Sequence, residues 1–261
     1  MSDKRKINWT KISGFTLETI GIIASILVAF AIENWDEDQR KIEKEEIYLI
    51  SLHSDMIKDQ NQLTRRIKDY EIKLSTTVEL MEKLNENVSI DESEIIKTID
   101  DRLAYLFAYV PSNNTYKALE SSGDIKFISN AELKILLFEL DKSFQTNQQK
   151  GELFMDYTNS LMWAGFLIDH FNYQNYTTNL TEQNLRLDLF NRVKRYNKLI
   201  EAYYYDMQGT ILKLEEVRIA LEKEIEAKEI ETDIIIEEIN VNDKEEQSAE
   251  EEELEGLLNE L

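Results

Sequence analysis

Few residues in this chain are of the types that do chemistry. Its 261 residues include no cysteine and only two histidines, His53 and His170, so thiolate nucleophiles, disulfides and cysteine metal sites are excluded. Neither histidine lies in a Glu-x-x-His or His-x-x-x-His pattern, and the seven glycines form no GxGxxG or Walker A motif. We therefore predict no catalysis, no metal and no cofactor. The alternative is an enzyme that uses His170 with the adjacent Asp169.

Glu18 is the most unusual acid, because it is the one charged residue in the apolar run Phe15 to Ile32. A helix over this run rises about 27 Å, close to the roughly 30 Å of a bilayer's hydrocarbon core. The run predicts a transmembrane helix over residues 15–35, with Trp35 at the exit interface. A cleaved signal peptide and a buried core helix are the alternatives. An intramembrane acid indicates a proton relay or a cation partner, although Glu18 is near enough to the start of the run to reach the headgroups.

Small residues follow one face of the predicted span. Gly21, Ser25 and Ala29 fall at i, i+4 and i+8. Such a strip lets two membrane helices approach closely. It predicts a homo-oligomer through the span, although small residues are also common in membrane helices for other reasons.

The charge distribution bears on location and partners. Residues 1–14 contain four basic side chains and residues 33–47 contain three, which favours a cytoplasmic N-terminus by a small margin. We expect a single-pass protein of the inner membrane with the bulk of the chain extracytoplasmic. The net charge of −22 argues against a nucleic-acid partner, since binding phosphates requires a surplus of Lys and Arg.

Apolar residues then recur at alternating three- and four-residue steps, the pattern of helices that pack in a coiled-coil-like bundle. We predict an all-α fold in which the membrane helix continues into a long helix and three long helices pack antiparallel. The first predicted core stripe runs through Leu49, Leu52, Met56, Leu63, Ile67, Tyr70, Leu74, Met81, Leu84 and Val88, with Gln60 and Thr77 as polar members. The second runs through Leu133, Leu137, Leu140, Phe144, Phe154, Tyr157, Leu161, Ala164, Ile168 and Phe171, with a polar interruption at 146–151. The third runs through Leu189, Val193, Tyr196, Ile200, Tyr203, Met207, Leu214, Val217 and Leu221, with Thr210 as its polar member.

The predicted domains are a basic flank (1–14), the transmembrane helix (15–35), the helical bundle (36–228) and an acidic tail (229–261). Within the bundle, residues 91–129 form a small helical cap, with a helix over 91–110 and a short helix that ends at Gly123. Residues 237–261 contain eleven acids and one lysine, which is typical of a solvated, disordered segment. We expect a protein partner to bind the cap or the tail; the alternative for the cap is a purely structural role that closes the bundle.

The predicted topology also places aromatic residues. If the second long helix returns toward the membrane, the loop at 172–180 faces the bilayer. Phe171, Tyr173 and Tyr176 would then lie at the lipid interface, where aromatic rings are favoured.

Several short motifs resemble those of an uncharacterised single-pass membrane family common in Bacteroidota. They are the exit motif Glu33-Asn34-Trp35-Asp36-Glu37, the stretch 115–123 (TYKALESSG) and the stretch 128–133 (ISNAEL). Where that family usually shows Asn-Asn-Trp-Asn-Glu, this chain has Glu33 and Asp36 in place of two asparagines. The resemblance covers roughly residues 10–220, excludes the tail, and implies a bacterial envelope location and a helical domain without a known activity.

We therefore expect a membrane-anchored helical scaffold or interaction protein of the bacterial envelope. The alternative is a subunit of an ion-driven or sensory membrane complex in which Glu18 is the working residue.

Overall fold

A computed structural model describes residues 9–85, 91–178, 180 and 182–230; among these, the side chains of residues 9–21, 160–162 and 164 are not described. The described part contains six α-helices and one two-stranded hairpin, so the all-α prediction is confirmed. The chain divides into two compact units, one up to Ile47 and one from Tyr48 onward.

The first unit consists of the early part of helix α1 (Trp9–Asn85). From Ile22 to Ile32 every side chain is exposed within this unit, as is Trp35. A search of the described residues found no helix that is both long and apolar enough to cross a membrane.

The second unit is a bundle of three long helices: α1 from Tyr48 onward, α4 (Ala131–Tyr157) and α6 (Gln183–Ala227). Helix α6 runs antiparallel to α1. At one end of the bundle the Arg186 Nε donates to the Leu84 carbonyl oxygen at 2.7 Å, and at the other the His53 Nε2 lies 3.4 Å from the Glu222 Oε1.

Helix α4 is antiparallel to α6 and therefore parallel to α1. The Asn130 Nδ2 donates to Glu224 at 2.7 Å near the start of α4, and the Asn147 Nδ2 donates to the Thr210 hydroxyl at 2.5 Å further along. The prediction that the second long helix runs back along the first is thus wrong. The reason is the segment between α1 and α4, which carries the chain back to the starting end of the bundle before α4 begins.

That connecting segment differs from the predicted cap. Helix α2 (Glu92–Thr98) continues into a π-helical turn (Ile99–Leu103) at the end where α1 finishes. An extended stretch over residues 104–113, which we call the strap, then runs along the bundle to helix α3 (Asn114–Ser122) and a 3-10 turn (Asp124–Phe127) at the opposite end. The predicted helix over 91–110 is therefore wrong beyond Leu103. The predicted stop at Gly123 is confirmed, since its φ of +74° is the left-handed conformation that ends a helix.

A second π-helical turn, Thr158–Trp163, separates α4 from α5 (Ala164–His170). Each such turn inserts one extra residue relative to α-helical spacing, so the apolar stripe rotates at this point. Ile168 was predicted to lie in the core but is 76% exposed, whereas Phe166 and Leu167 are buried.

Strands β1 (Phe171–Asn172) and β2 (Thr177–Thr178) form an antiparallel hairpin between α5 and α6. The Thr178 backbone N donates to the Glu92 carboxylate at 3.1 Å, which fixes the hairpin beside α2. This hairpin and Tyr48 therefore lie at opposite ends of the second unit.

Candidate functional site

The strap is an extended segment without a sheet partner, so its backbone hydrogen bonds must come from side chains. The Tyr196 hydroxyl donates to the Leu103 carbonyl oxygen at 2.6 Å, and the Tyr203 hydroxyl accepts from the Tyr109 backbone N at 3.3 Å. The tyrosines of the α6 stripe therefore fix the strap to the bundle as well as filling the core.

Asp59 of α1 is the centre of this polar network. Its Oδ1 accepts from the Tyr109 hydroxyl at 2.8 Å and from the Ser112 backbone N at 2.6 Å, and the side chain is fully buried. One turn earlier, the Asp55 carboxylate accepts from the Thr115 backbone N at 2.9 Å. Two acids of one helix face thus bind the end of the strap and the first turn of α3.

Burial of the Asp59 carboxylate has a desolvation cost, which the hydrogen bonds from Tyr109 and Ser112 offset only in part. Burial raises the pKa of Asp59 to about 6, while the hydrogen bonds from Ser112 and Tyr109 act to lower it. Its Oδ2 is buried and has no hydrogen-bond partner among the described residues. This carboxyl consequently changes its protonation state close to neutral pH.

Further polar contacts continue along α4. The Asn113 Nδ2 donates to Asp141 at 2.5 Å, and Asp141 also accepts from the Gln145 Nε2 at 2.6 Å. The predicted polar interruption of the α4 stripe at 146–151 contains Asn147, which bonds Thr210, and Gly151, which faces Ala108 of the strap and Tyr203 of α6. A Cβ atom at Gly151 would lie 2.7 Å from the Tyr203 hydroxyl and 3.0 Å from the Ala108 Cβ. These residues position the strap and bring no nucleophile to an open cleft.

The two histidines lie apart from this network. His170 is exposed and its ring packs on Phe166 with centroids 4.9 Å apart, while His53 lies near Glu222. Within the described ranges, no group of three or more His, Asp or Glu side chains is arranged to bind a metal.

The predicted membrane residues fall in the first unit. The side chains of Glu18 and Gly21 lie outside the described ones. Ser25 and Ala29 are exposed on α1 and Trp35 is 65% exposed within its unit. The structure therefore leaves both the strip and the acid as predictions.

The other three predicted interface aromatics, Phe171, Tyr173 and Tyr176, lie at the hairpin, and their surroundings differ. Phe171 is 7% exposed and packs edge-on against Phe166 with centroids 5.7 Å apart, so its ring belongs to the core. Tyr173 and Tyr176 are 40% and 37% exposed. Because α4 runs parallel to α1, the hairpin lies at the end of the bundle opposite Tyr48. The second long helix therefore does not return along the first, as that prediction assumed, and the lipid-interface role of these residues stays a prediction.

Sequence reasoning missed Asp59, Tyr109 and Asp141. A signal for Asp59 was present, because an acid between Met56 and Leu63 lies beside the apolar stripe of α1. Its partner Tyr109 falls in the helix predicted over 91–110, so no hydrogen bond between Tyr109 and Asp59 was predicted.

The fold of the second unit defines a mainly helical protein, a bundle of three long helices braced by an internal extended segment. The chain belongs to DUF6090, a family of unknown function whose match covers residues 18–166. This confirms that the chain resembles an uncharacterised family and carries no activity over to it. Searches of curated proteins and of solved structures gave no match.

Proposed function

We propose that this protein is a helical scaffold of the bacterial envelope, anchored in the inner membrane by a single helix over residues 15–35. Its N-terminus is cytoplasmic, and the bundle faces the other side of the membrane. It assembles other components without catalysing a reaction, and its partners bind residues 91–129 or the acidic tail at 229–261.

One observation supports the anchor most directly. The large apolar side chains of the early part of α1 are exposed on every side of the helix, each at 49% or more: Ile22, Ile23, Ile26, Leu27, Val28, Phe30 and Ile32. A helix that is apolar all round belongs in a protein core or in lipid. Exposing this apolar surface to water would cost about 25 cal/mol of free energy per Å².

The test is membrane fractionation of the full-length protein with a matched pair of variants. Val28→Arg places a charge inside the predicted span 15–35, three residues from its centre, and a charge at the centre of a membrane helix costs about 2.5–3.5 kcal/mol. We expect it to move protein from the carbonate-resistant membrane fraction to the soluble fraction. Ile42→Arg, on the same helix beyond the run, is the control and should remain in the membrane. Equal extraction of wild type and Val28→Arg would contradict the anchor, and an intact-mass measurement tests for signal-peptide cleavage.

Orientation has its own test because the chain contains no cysteine. A single cysteine at exposed Thr177 should react with a membrane-impermeant maleimide in intact spheroplasts. Reaction only after lysis would place the bundle in the cytoplasm.

The second candidate function is a subunit of an ion-driven or sensory membrane complex, favoured by Glu18 as the one charge in the apolar run. Glu18→Gln separates the two candidates. A scaffold should assemble and act normally with this change, whereas a proton-linked device should lose activity while still assembling.

A further inference from the structure

Three tyrosine rings at the hairpin end of the bundle are exposed and lie outside the core. Tyr105 is 64% exposed, Tyr173 is 40% exposed and Tyr176 is 37% exposed. Tyr196 and Tyr203 of α6, by contrast, are buried and hydrogen-bonded within the bundle. An exposed ring is a flat amphipathic surface that binds a partner with little loss of side-chain entropy.

The fold brings these rings to one place from two separate parts of the chain. Tyr105 follows the first π-helical turn, and Tyr173 and Tyr176 begin and end the hairpin loop. Burial and the nearby Asp100 and Tyr105 raise the pKa of the Tyr173 hydroxyl, so Tyr173 remains a hydrogen-bond donor at neutral pH. The Lys97 Nζ lies 5.1 Å from the centroid of the Tyr176 ring.

Tyr176 has an unusual backbone conformation. Its φ of +51° is left-handed, which costs roughly 1–2 kcal/mol for a residue with a side chain. Glycine would relieve that cost and asparagine tolerates it better. Backbone strain of this kind is concentrated at sites where it serves a function.

Planar polar groups surround the rings. The Asn172 Oδ1 accepts from the Gln174 backbone N at 3.0 Å, and the Asn175 Oδ1 accepts from the Thr177 hydroxyl at 2.7 Å. Each carboxamide then has its NH₂ group for donation to a ligand, and the partly buried Asp100 is an acceptor. Basic Lys97 and Arg102 are mixed here with acidic Glu92, Asp100 and Asp101. The surface therefore has no large field of one sign and suits a neutral ligand better than a highly charged one.

We propose that this surface, formed by Tyr105, Tyr173, Tyr176, Asp100, Asn172 and Asn175, binds a neutral β-linked polysaccharide. A β-linked pyranose presents a flat face of axial C–H bonds, which carry partial positive charge and stack on the negative face of an aromatic ring. Its equatorial hydroxyls lie at the rim of that face, where carboxamides and a carboxylate exchange hydrogen bonds with them. Such a polysaccharide would be a partner of the proposed envelope scaffold. Binding itself does not depend on the scaffold function; only the location in the cell envelope rests on it.

The test is isothermal titration of the full-length protein in a detergent without a sugar headgroup. The probes are cellohexaose and chitohexaose, two neutral β-linked hexasaccharides. We expect saturable binding of at least one probe. Tyr176→Gly removes a ring while relieving the strained φ, so it should keep the fold and raise the Kd at least fivefold; Tyr173→Ala should do the same. Tyr205→Ala, an exposed tyrosine on α6, is the control and should leave the Kd within twofold.

Absence of saturable binding to either probe would overturn the proposal. So would a Tyr176→Gly variant that folds normally and binds as the wild type does. Binding by the purified protein does not depend on the anchor, so this result and the fractionation of Val28→Arg can fail independently.

Discussion

Gly151 lies where α4 approaches both the strap and the Tyr203 hydroxyl. We expect Gly151→Ala to lower the free energy of unfolding by about 1–3 kcal/mol, because the added methyl group would overlap the hydroxyl and Ala108. Urea denaturation followed by circular dichroism measures this change. Gly209→Ala is the matched control: it lies inside α6 with nothing within 4 Å of its Cβ position and should stabilise the protein by about 0.5–1 kcal/mol. Equal effects of the two changes would contradict the close approach.

Asp59 predicts a pH dependence of stability with a definite sign. Its pKa is about 6 in the folded protein against roughly 3.9 in an unfolded chain, so the folded state binds the proton more tightly. The free energy of unfolding contributed by this group is therefore greatest below pH 4 and is lost as the pH rises through 6. The full difference is about 3 kcal/mol at most.

Comparison with Asp59→Asn isolates this contribution from that of the other acids. The amide can still accept from Tyr109 and Ser112 and does not titrate, so the difference in unfolding free energy between the two proteins should change between pH 4 and pH 7. Asp188→Asn, on the surface of α6, is the control. A difference between wild type and Asp59→Asn that stays constant over this range would show that burial does not perturb the Asp59 carboxyl.

At the scale of elements, the strap depends on side-chain hydroxyls for its backbone hydrogen bonds. Tyr196→Phe leaves the Leu103 carbonyl without its donor in a buried position, so we expect a loss of about 1–3 kcal/mol of unfolding free energy. Tyr204→Phe removes a hydroxyl that bonds Glu71 at the exposed surface and should change the same quantity by less than about 0.5 kcal/mol. Thermal unfolding of both variants under one set of conditions is the measurement.

The helices could be predicted from the sequence because their signals are periodic and local. The predicted α6 stripe is buried from Leu189 to Leu221, including its polar member Thr210. The first stripe is buried at Leu49, Leu52, Met56 and Leu63. Its pattern does not predict that α1 also contacts the strap through Asp59.

The strap itself could not be predicted, because its hydrogen bonds come from helices that are distant in sequence. Residues 104–110 are apolar enough to suggest a continuing helix, and the signals at Pro111 and Asn113 indicate only that a helix stops. Missing the strap reversed the predicted direction of α4, and this removes the reason for placing Tyr173 and Tyr176 at the lipid interface. A π-helical turn has no periodic signature either, so the rotation that exposes Ile168 was also missed.

At the scale of the whole molecule, the small-residue strip predicts a parallel homo-oligomer. Single cysteines at Ser25 or Ala29 should form disulfide-linked dimers on mild oxidation in membranes, because in a parallel pair each residue of the strip meets its copy. A cysteine at Leu27, on another face of the helix, is the control and should cross-link far less. Equal cross-linking at Ser25 and Leu27 would show that the strip does not form the interface.

The family match ends at residue 166, so the hairpin loop lies beyond it. Polysaccharide binding through Tyr173 and Tyr176 is therefore proposed for this chain and not for the family.

The antiparallel pairing of α1 with α6 has a consequence for biosynthesis. Contacts such as Arg186 with Leu84 and His53 with Glu222 join residues 102 and 169 positions apart, and a ribosome adds residues from the N-terminus at about 5–20 per second. The apolar stripe of α1 therefore waits on the order of ten seconds for its partner helix. Until α6 emerges, Leu49, Leu52 and Leu63 lack that partner, and the exposed apolar stripe makes the nascent chain prone to aggregation.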